Sequence, residues 1–263
     1  MRAARRACPA TLTPGRIVPA AATSCHSVVP SLASIHKQLV LTLLLGAWLL
    51  AGCGEPEYTI RRALRVGDQW RYTLTLQGEL RGQTDTLELR YSDRVQSVES
   101  DGSATVERTL QMAPDTLRRL QASAAPFGAL KPKTHWKLFP DGRESPLDEE
   151  GFFIGTFAYA YPDRPVRLGA RWGRVERVGS LEVKYLCQLE GIETLEGVSC
   201  YRIRVQVEPM PESLPQMQGE MTVHVDAQSG WTRKIRGTLN MRAGAVGGSF
   251  VLTLHGEPVG ERR

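Results

Sequence analysis

The stretch LEVKYLCQLEGIETLEGVSCYRIRVQVEP (residues 181–209) decides the fold. Leu181, Val183 and Tyr185 alternate with Glu182 and Lys184; Tyr201, Ile203, Val205 and Val207 alternate with Arg202, Arg204 and Gln206. A period of two puts successive side chains on opposite faces, so each half reads as a strand with one apolar face and one charged face. A sheet of such strands covers a single core. The pattern continues outward. Trp70, Tyr72, Leu74 and Leu76 alternate with Arg71, Thr73 and Thr75, and Leu87, Leu89 and Tyr91 with Glu88 and Arg90. Met221, Val223 and Val225 pass through Asp226–Gly230 into Trp231, Ile235, Leu239 and Met241 as a hairpin, and Phe250, Leu252 and Leu254 give a last strand. The expected fold is mainly β: a curved antiparallel sheet or incomplete β-barrel over 63–258, with a short tail at 259–263. Helical signals are confined to 115–124, behind Pro114, and to Asp148-Glu149-Glu150 ahead of 151–154. They imply one or two short helices.

A second stretch sets the compartment. From Leu39 to Leu50 there is no charged residue, Lys37 stands just before, and Leu50-Ala51-Gly52-Cys53 closes the run. That is the order of a secretory signal: a cation, a short apolar segment, then small residues. A membrane span needs about 20 apolar residues, and Gly54-Glu55-Pro56-Glu57 ends this run too early. The four residues 50–53 resemble the lipobox of bacterial lipoproteins. The resemblance implies that residues 1–52 are removed and that Cys53, acylated on sulfur and amine, anchors the chain to a membrane, with 53–62 as a tether. Several acyl chains hold a protein stably where one gives marginal attachment. Gly54 is not the aspartate that keeps enterobacterial lipoproteins at the inner membrane, so the expected location is the outer membrane, facing the periplasm. Residues 1–35 lack periodicity, and the expected start of translation lies near Val28–Ile35.

Processing also changes the charge. The formal charge of +5 comes from Arg2, Arg5, Arg6, Arg16 and Lys37, because residues 1–52 hold no Asp or Glu. The mature chain is neutral, which removes the electrostatic footprint of a nucleic-acid binder. Three cysteines remain: Cys53, Cys187 and Cys200. In an oxidising compartment the last two are expected to pair as a staple, although Cys187 is in phase with inward residues and Cys200 is out of phase. A regular hairpin would keep them on opposite faces unless a bulge near Gly197–Cys200 intervenes.

Arg65-Val-Gly-Asp-Gln-Trp70 and Arg167-Leu-Gly-Ala-Arg-Trp172 share R-[VL]-G-x-x-W, each opening a strand. The echo is either a chance likeness of two strand starts or the mark of two lobes dividing near 162–165. The phrase RPVRLGARW resembles one found in uncharacterised β-rich envelope lipoproteins, and the whole pattern is similar in outline to the periplasmic lipoprotein-carrier fold, where helices plug a half-barrel.

Candidate sites are few. Phe127, Trp136, Phe139, Phe152, Phe153, Phe157, Tyr159 and Tyr161 form an aromatic segment that reads either as the wall of an apolar pocket or, more simply, as core under a long connection. Lys184, Arg202, Arg204, Lys234 and Arg236 share one strand parity, but Glu182, Glu208, Glu220 and Asp226 share it too, so the plain reading is a solvated face. Glu220, Thr222, His224 and Asp226 are spaced about 7 Å apart along a strand face, too far for one small metal ion. No GxSxG, SxxK or Walker pattern occurs. The sequence therefore implies a lipid-anchored envelope protein with a non-catalytic binding or structural role and no cofactor. Its partners would be the membrane and a lipid or envelope protein. The alternatives are a carrier of a lipid or acyl chain in a half-barrel pocket, and a hydrolase built from scattered residues. Catalysis would call for His224 or His255 buried beside a carboxylate.

Overall fold

Each alternating segment becomes a strand: β1 Gln69–Leu80, β2 Gln83–Val98, β3 Ala104–Gln111, β4 Lys133–Leu138, β5 Glu144–Pro146, β6 Arg171–Val178, β7 Leu181–Leu195, β8 Val198–Pro209, β9 Gln216–Asp226, β10 Thr232–Ala243 and β11 Val246–Pro258. This computed structural model describes residues 55–80, 83–112, 131–147, 161–178, 181–210, 216–243 and 246–260. They belong to a unit running from Glu55 to Arg263. Among the described residues there is no helix, and both helical expectations, 115–124 and 148–154, lie outside them.

All eleven strands form one sheet in the order β5-β4-β3-β2-β1-β11-β10-β9-β8-β7-β6, every pairing antiparallel. Every paired neighbour except β1–β11 is consecutive in sequence. The first strand pairs with the last, as in an up-and-down barrel, while the edges of the sheet are β5 and β6. Counting directions across the sheet, β5 and β6 run the same way, so no hairpin can close them. The result is a barrel with one open seam.

The sheet curls far enough for its edges to approach. The Arg174 guanidinium of β6 reaches the Asp141 carboxylate in the β4–β5 turn at 3.5 Å. The Tyr161 amide donates to the Asp141 carbonyl at 3.0 Å. A strap formed by residues 57–64 crosses the same end. Tyr58 and Val166 exchange two backbone hydrogen bonds at 2.8 and 3.0 Å, the Arg62 amide donates to Pro140 at 2.9 Å, and the Ala63 amide donates to Ser229 at 2.8 Å. Ile60 is 1% exposed and Arg62 is buried, so the strap enters the core through these two side chains. The turns β2–β3, β4–β5, β7–β8 and β9–β10, and the starts of β1 and β6, all lie at this strap end.

The two halves of the chain share local geometry. In each R-[VL]-G motif the residue after glycine donates its amide to the arginine carbonyl, Asp68 to Arg65 at 3.0 Å and Ala170 to Arg167 at 3.1 Å. Gly67 and Gly169 have φ of 89° and 80°, which makes both β-turns type II. Each glycine amide donates to the next strand, to Val95 at 3.0 Å and to Leu189 at 2.7 Å. Val95 and Leu189 return the bond to Asp68 and Ala170 at 2.9 and 3.1 Å. Register then shifts just after both residues, between Val95 and Ser97 and between Leu189 and Gly191. The sequence echo is thus a repeated turn, hairpin and bulge.

The expected Cys187–Cys200 staple is absent. Both thiols are free and buried. Cys187 faces Val205 and Trp172 in the core row, whereas Cys200 pairs with Glu193 and Asp226 near the strap end. The bulge falls at Glu190, not at 197–200, and the register of the hairpin itself keeps the two sulfurs several residue pairs apart.

Candidate functional site

The concave face has two regions. At the strap end it carries charge. Asp93 on β2 and Arg108 on β3 are opposite one another in register and in phase with the apolar residues Tyr91 and Val106. Arg108 grips Asp93 through two bonds of 2.7 Å and donates a third, at 3.2 Å, to Glu144 of β5. Arg62 of the strap completes the set, donating to the other Glu144 oxygen at 3.1 Å. These four side chains are between 2% and 10% exposed. Two cations meet two anions, which is the condition under which buried charge is tolerable.

Aromatic rings bracket the cluster. The Arg108 guanidinium lies 4.9 Å from the Tyr91 ring centre and 5.1 Å from that of Trp136. Tyr91 stacks on Tyr72 at 4.9 Å, and Trp70 stacks on Trp231 at 5.4 Å. Arg62 covers Trp231 at 5.2 Å, and Arg233 covers Trp70 at 4.9 Å while binding Asp226 at 3.0 Å. Such cation–π contacts gain strength where water is excluded. Burial pushes the Tyr72 and Tyr91 hydroxyls well above their ordinary range, so both stay protonated. Burial alone would lower Arg108, but Asp93 and Glu144 outweigh it and hold the cation. The cluster is a static clamp fixing strap to sheet.

At the other end the same face is apolar among the described residues. Leu76 faces Leu87 across β1–β2 and Leu252 across β1–β11; Leu110, Met112 and Phe250 stand nearby on the inward phase. Leu76, Leu87, Leu110, Met112 and Phe250 are half-buried, in contrast to Leu74, Leu89 and Leu252, which are fully buried.

Of the aromatic segment, Phe127, Phe152, Phe153, Phe157 and Tyr159 lie outside the described residues, as does Cys53. The other three make contacts within the fold. Trp136 is core, its indole donating to Thr134 at 2.9 Å. Tyr161 is 2% exposed and donates its hydroxyl to the Gly230 carbonyl at 2.6 Å. Phe139 lies in the β4–β5 turn, with Arg143 at 4.5 Å over its ring. Sequence reading missed the Arg62–Asp93–Arg108–Glu144 cluster. Its legible signal was a charge in the apolar phase on both β2 and β3; nothing periodic marks Arg62 or Glu144.

On the convex face the expected cations are largely paired. Lys184 meets Glu208 and Arg204 meets Glu220, both at 2.8 Å, and Arg202 meets Glu193 at 3.2 Å. Asp226 instead turns into the β9–β10 turn, accepting from the Gln228 and Ser229 amides. His224 is nearly buried, with Nε2 2.5 Å from a Glu193 oxygen. Neighbouring Cys200 is raised by burial first and by Asp226 second, so it stays a thiol. Among the described residues no group of three or more His, Cys, Asp or Glu is placed to hold a metal ion.

No protein-family model and no curated protein matches the chain. Two solved structures do. One is a DUF1329 family protein from Desulfovibrio piger, at 10% identity over 75% of this chain and 88% of that one, with a TM-score of 0.23. The other, from Vibrio parahaemolyticus, carries the provisional name "outer membrane lipoprotein-sorting protein domain", at 12% identity over 74% and 87%, with a TM-score of 0.23. At these values the likeness carries no argument about function.

Proposed function

We propose that this chain is a lipid-anchored protein of the bacterial envelope that binds an apolar ligand, a lipid or acyl chain, on its concave face without catalysis. The reading places it at the outer membrane, facing the periplasm and held through Cys53. The observation that supports the binding role is the half-buried apolar surface of Leu76, Leu87, Leu110, Met112 and Phe250 at the end opposite the strap. Concave apolar surfaces with few polar groups are the ordinary form of small-ligand sites. The charged groups of the same face are committed to each other, so they hold the shape and leave the ligand end apolar.

The test uses the fluorescent probe N-phenyl-1-naphthylamine with residues 54–263. Its emission is expected to rise and shift blue on binding, to fall when dodecanoate competes, and to be weak with Leu87→Asp. No rise with the wild-type chain overturns the reading. A second reading, hydrolysis, has the His224–Glu193 pair in its favour. That pair lies on the convex face, beside a thiol that burial keeps protonated. His224→Gln is expected to leave probe binding unchanged, and ester turnover abolished by that change would favour the second reading.

A further inference from the structure

We propose that the strap end of the half-barrel is a membrane-docking surface, with Val66 and Leu168 resting in the interfacial layer of the bilayer that holds Cys53. The inference rests on the lipid-anchor reading and adds an orientation to it.

The anchor lies within short reach of the strap. Cys53 stands five residues before Tyr58, and Tyr58 is fixed to Val166 by two backbone hydrogen bonds. Five extended residues span at most about 18 Å. An acylated Cys53 therefore keeps this end of the sheet close to the bilayer, whatever path the chain takes.

The repeated turns lie at the same end. β1 and β6 run in the same direction, so the turns Arg65–Asp68 and Arg167–Ala170 lie at the same end, the strap end. The second position of a type II turn accepts most residues and favours proline. Here both turns place an aliphatic there, and both side chains are uncovered: Val66 is 67% exposed and Leu168 is 49% exposed. Packing asks for neither. A Cβ on the adjoining Gly67 or Gly169 would meet nothing within 4 Å, so both apices stand clear of the fold. Two matched apolar apices beside an anchored terminus suit a bilayer surface, where partial insertion of aliphatic side chains adds to the hold of acyl chains.

Charge at this end is mixed. Arg167 is paired with Glu57 at 3.2 Å, Arg65 is followed by Asp68, and Glu55 stands in the linking segment. Docking is therefore apolar in character and weakly dependent on salt, unlike that of a polybasic patch.

The experiment uses the full lipidated protein reconstituted in vesicles of phosphatidylethanolamine and phosphatidylglycerol. Val66→Cys, Leu168→Cys and, as a control, Val251→Cys are labelled with the dye NBD. Cys187 and Cys200 are buried and stay unlabelled in the folded protein. Val251 is exposed on β11, paired with Gln77 away from the strap. The expected result is blue-shifted emission at 66 and 168, quenched by lipids with brominated acyl chains and little changed by high salt, with aqueous emission at 251. Aqueous emission at 66 and 168 in a protein whose Cys53 peptide carries acyl chains overturns docking and leaves the anchor standing. An unmodified Cys53 peptide overturns both.

Discussion

At the scale of single residues, the Arg108–Asp93 pair gives the sharpest expectations. Arg108→Met leaves Asp93 and one Glu144 oxygen buried without their cation, and is expected to destabilise the fold by about 3–5 kcal/mol in urea unfolding. Asp93→Leu combined with Arg108→Met removes both charges while Arg62 keeps Glu144 paired, and is expected to come out near wild type or above it. Non-additivity of that kind identifies a compensated pair in a dry site. Asp226 supplies a pH dependence. Burial would raise its carboxyl, but the Ser229 and Gln228 amides and the Arg233 guanidinium outweigh it and hold the group below its ordinary value. A lowered folded value means that this stabilisation is complete above the ordinary carboxylate range and is lost as pH falls through the folded value. Asp226→Asn should flatten the decline of the urea midpoint below about pH 4. The thiols give a third expectation. Burial pushes Cys187 up to about 12, so iodoacetamide at neutral pH should modify neither Cys187 nor Cys200 until denaturant is added.

At the scale of elements, strands were legible because their alternation is strict: Tyr201, Ile203, Val205 and Val207 all point inward, as their spacing requires. The turn at Asp226–Gly230 was legible for the same reason. The bulges were not. Glu190 and Gln96 are ordinary polar residues on the outward parity of their strands, and the register of neighbouring strands places one extra residue at each. The cysteine pairing failed on register: the hairpin sets Cys187 opposite Val205 and Cys200 opposite Glu193, too far apart along the strands for any single bulge to join them. The charged cluster was half legible: Asp93 and Arg108 break the apolar phase, but Glu144 lies on a three-residue strand too short to show a period. Glycine substitutions test the turns. Gly169→Ala meets open space and should cost only the left-handed backbone term, about 1–2 kcal/mol. Gly230→Ala adds a collision with the Arg61 backbone to a φ of 70°, and should cost more in the same urea titration.

At the scale of the whole molecule, an eleven-strand sheet pairs its first and last strands and leaves a seam between β5 and β6, fastened at one end by a strap. The apolar pattern announced a curved sheet but not the position of the seam, which depends on β5 and β6 running in parallel. The strap carries no periodicity, and Ile60 and Arg62 enter the core through contacts far away in sequence. A chain beginning at Leu64 is expected to unfold at lower urea than one beginning at Gly54, because Ile60 and the Arg62–Glu144 pair are lost. Tyr161→Phe, which frees the Gly230 carbonyl, should cost about 1–3 kcal/mol. The apolar end of this curled sheet, on the proposed reading, holds a lipid. Native mass spectrometry of residues 54–263, purified gently from a bacterial periplasm, tests it most directly. The expected spectrum shows a co-purifying mass in the lipid range that disappears in folded Leu87→Asp; a clean apo mass for the wild-type chain, or a lipid mass undiminished in the variant, overturns lipid binding.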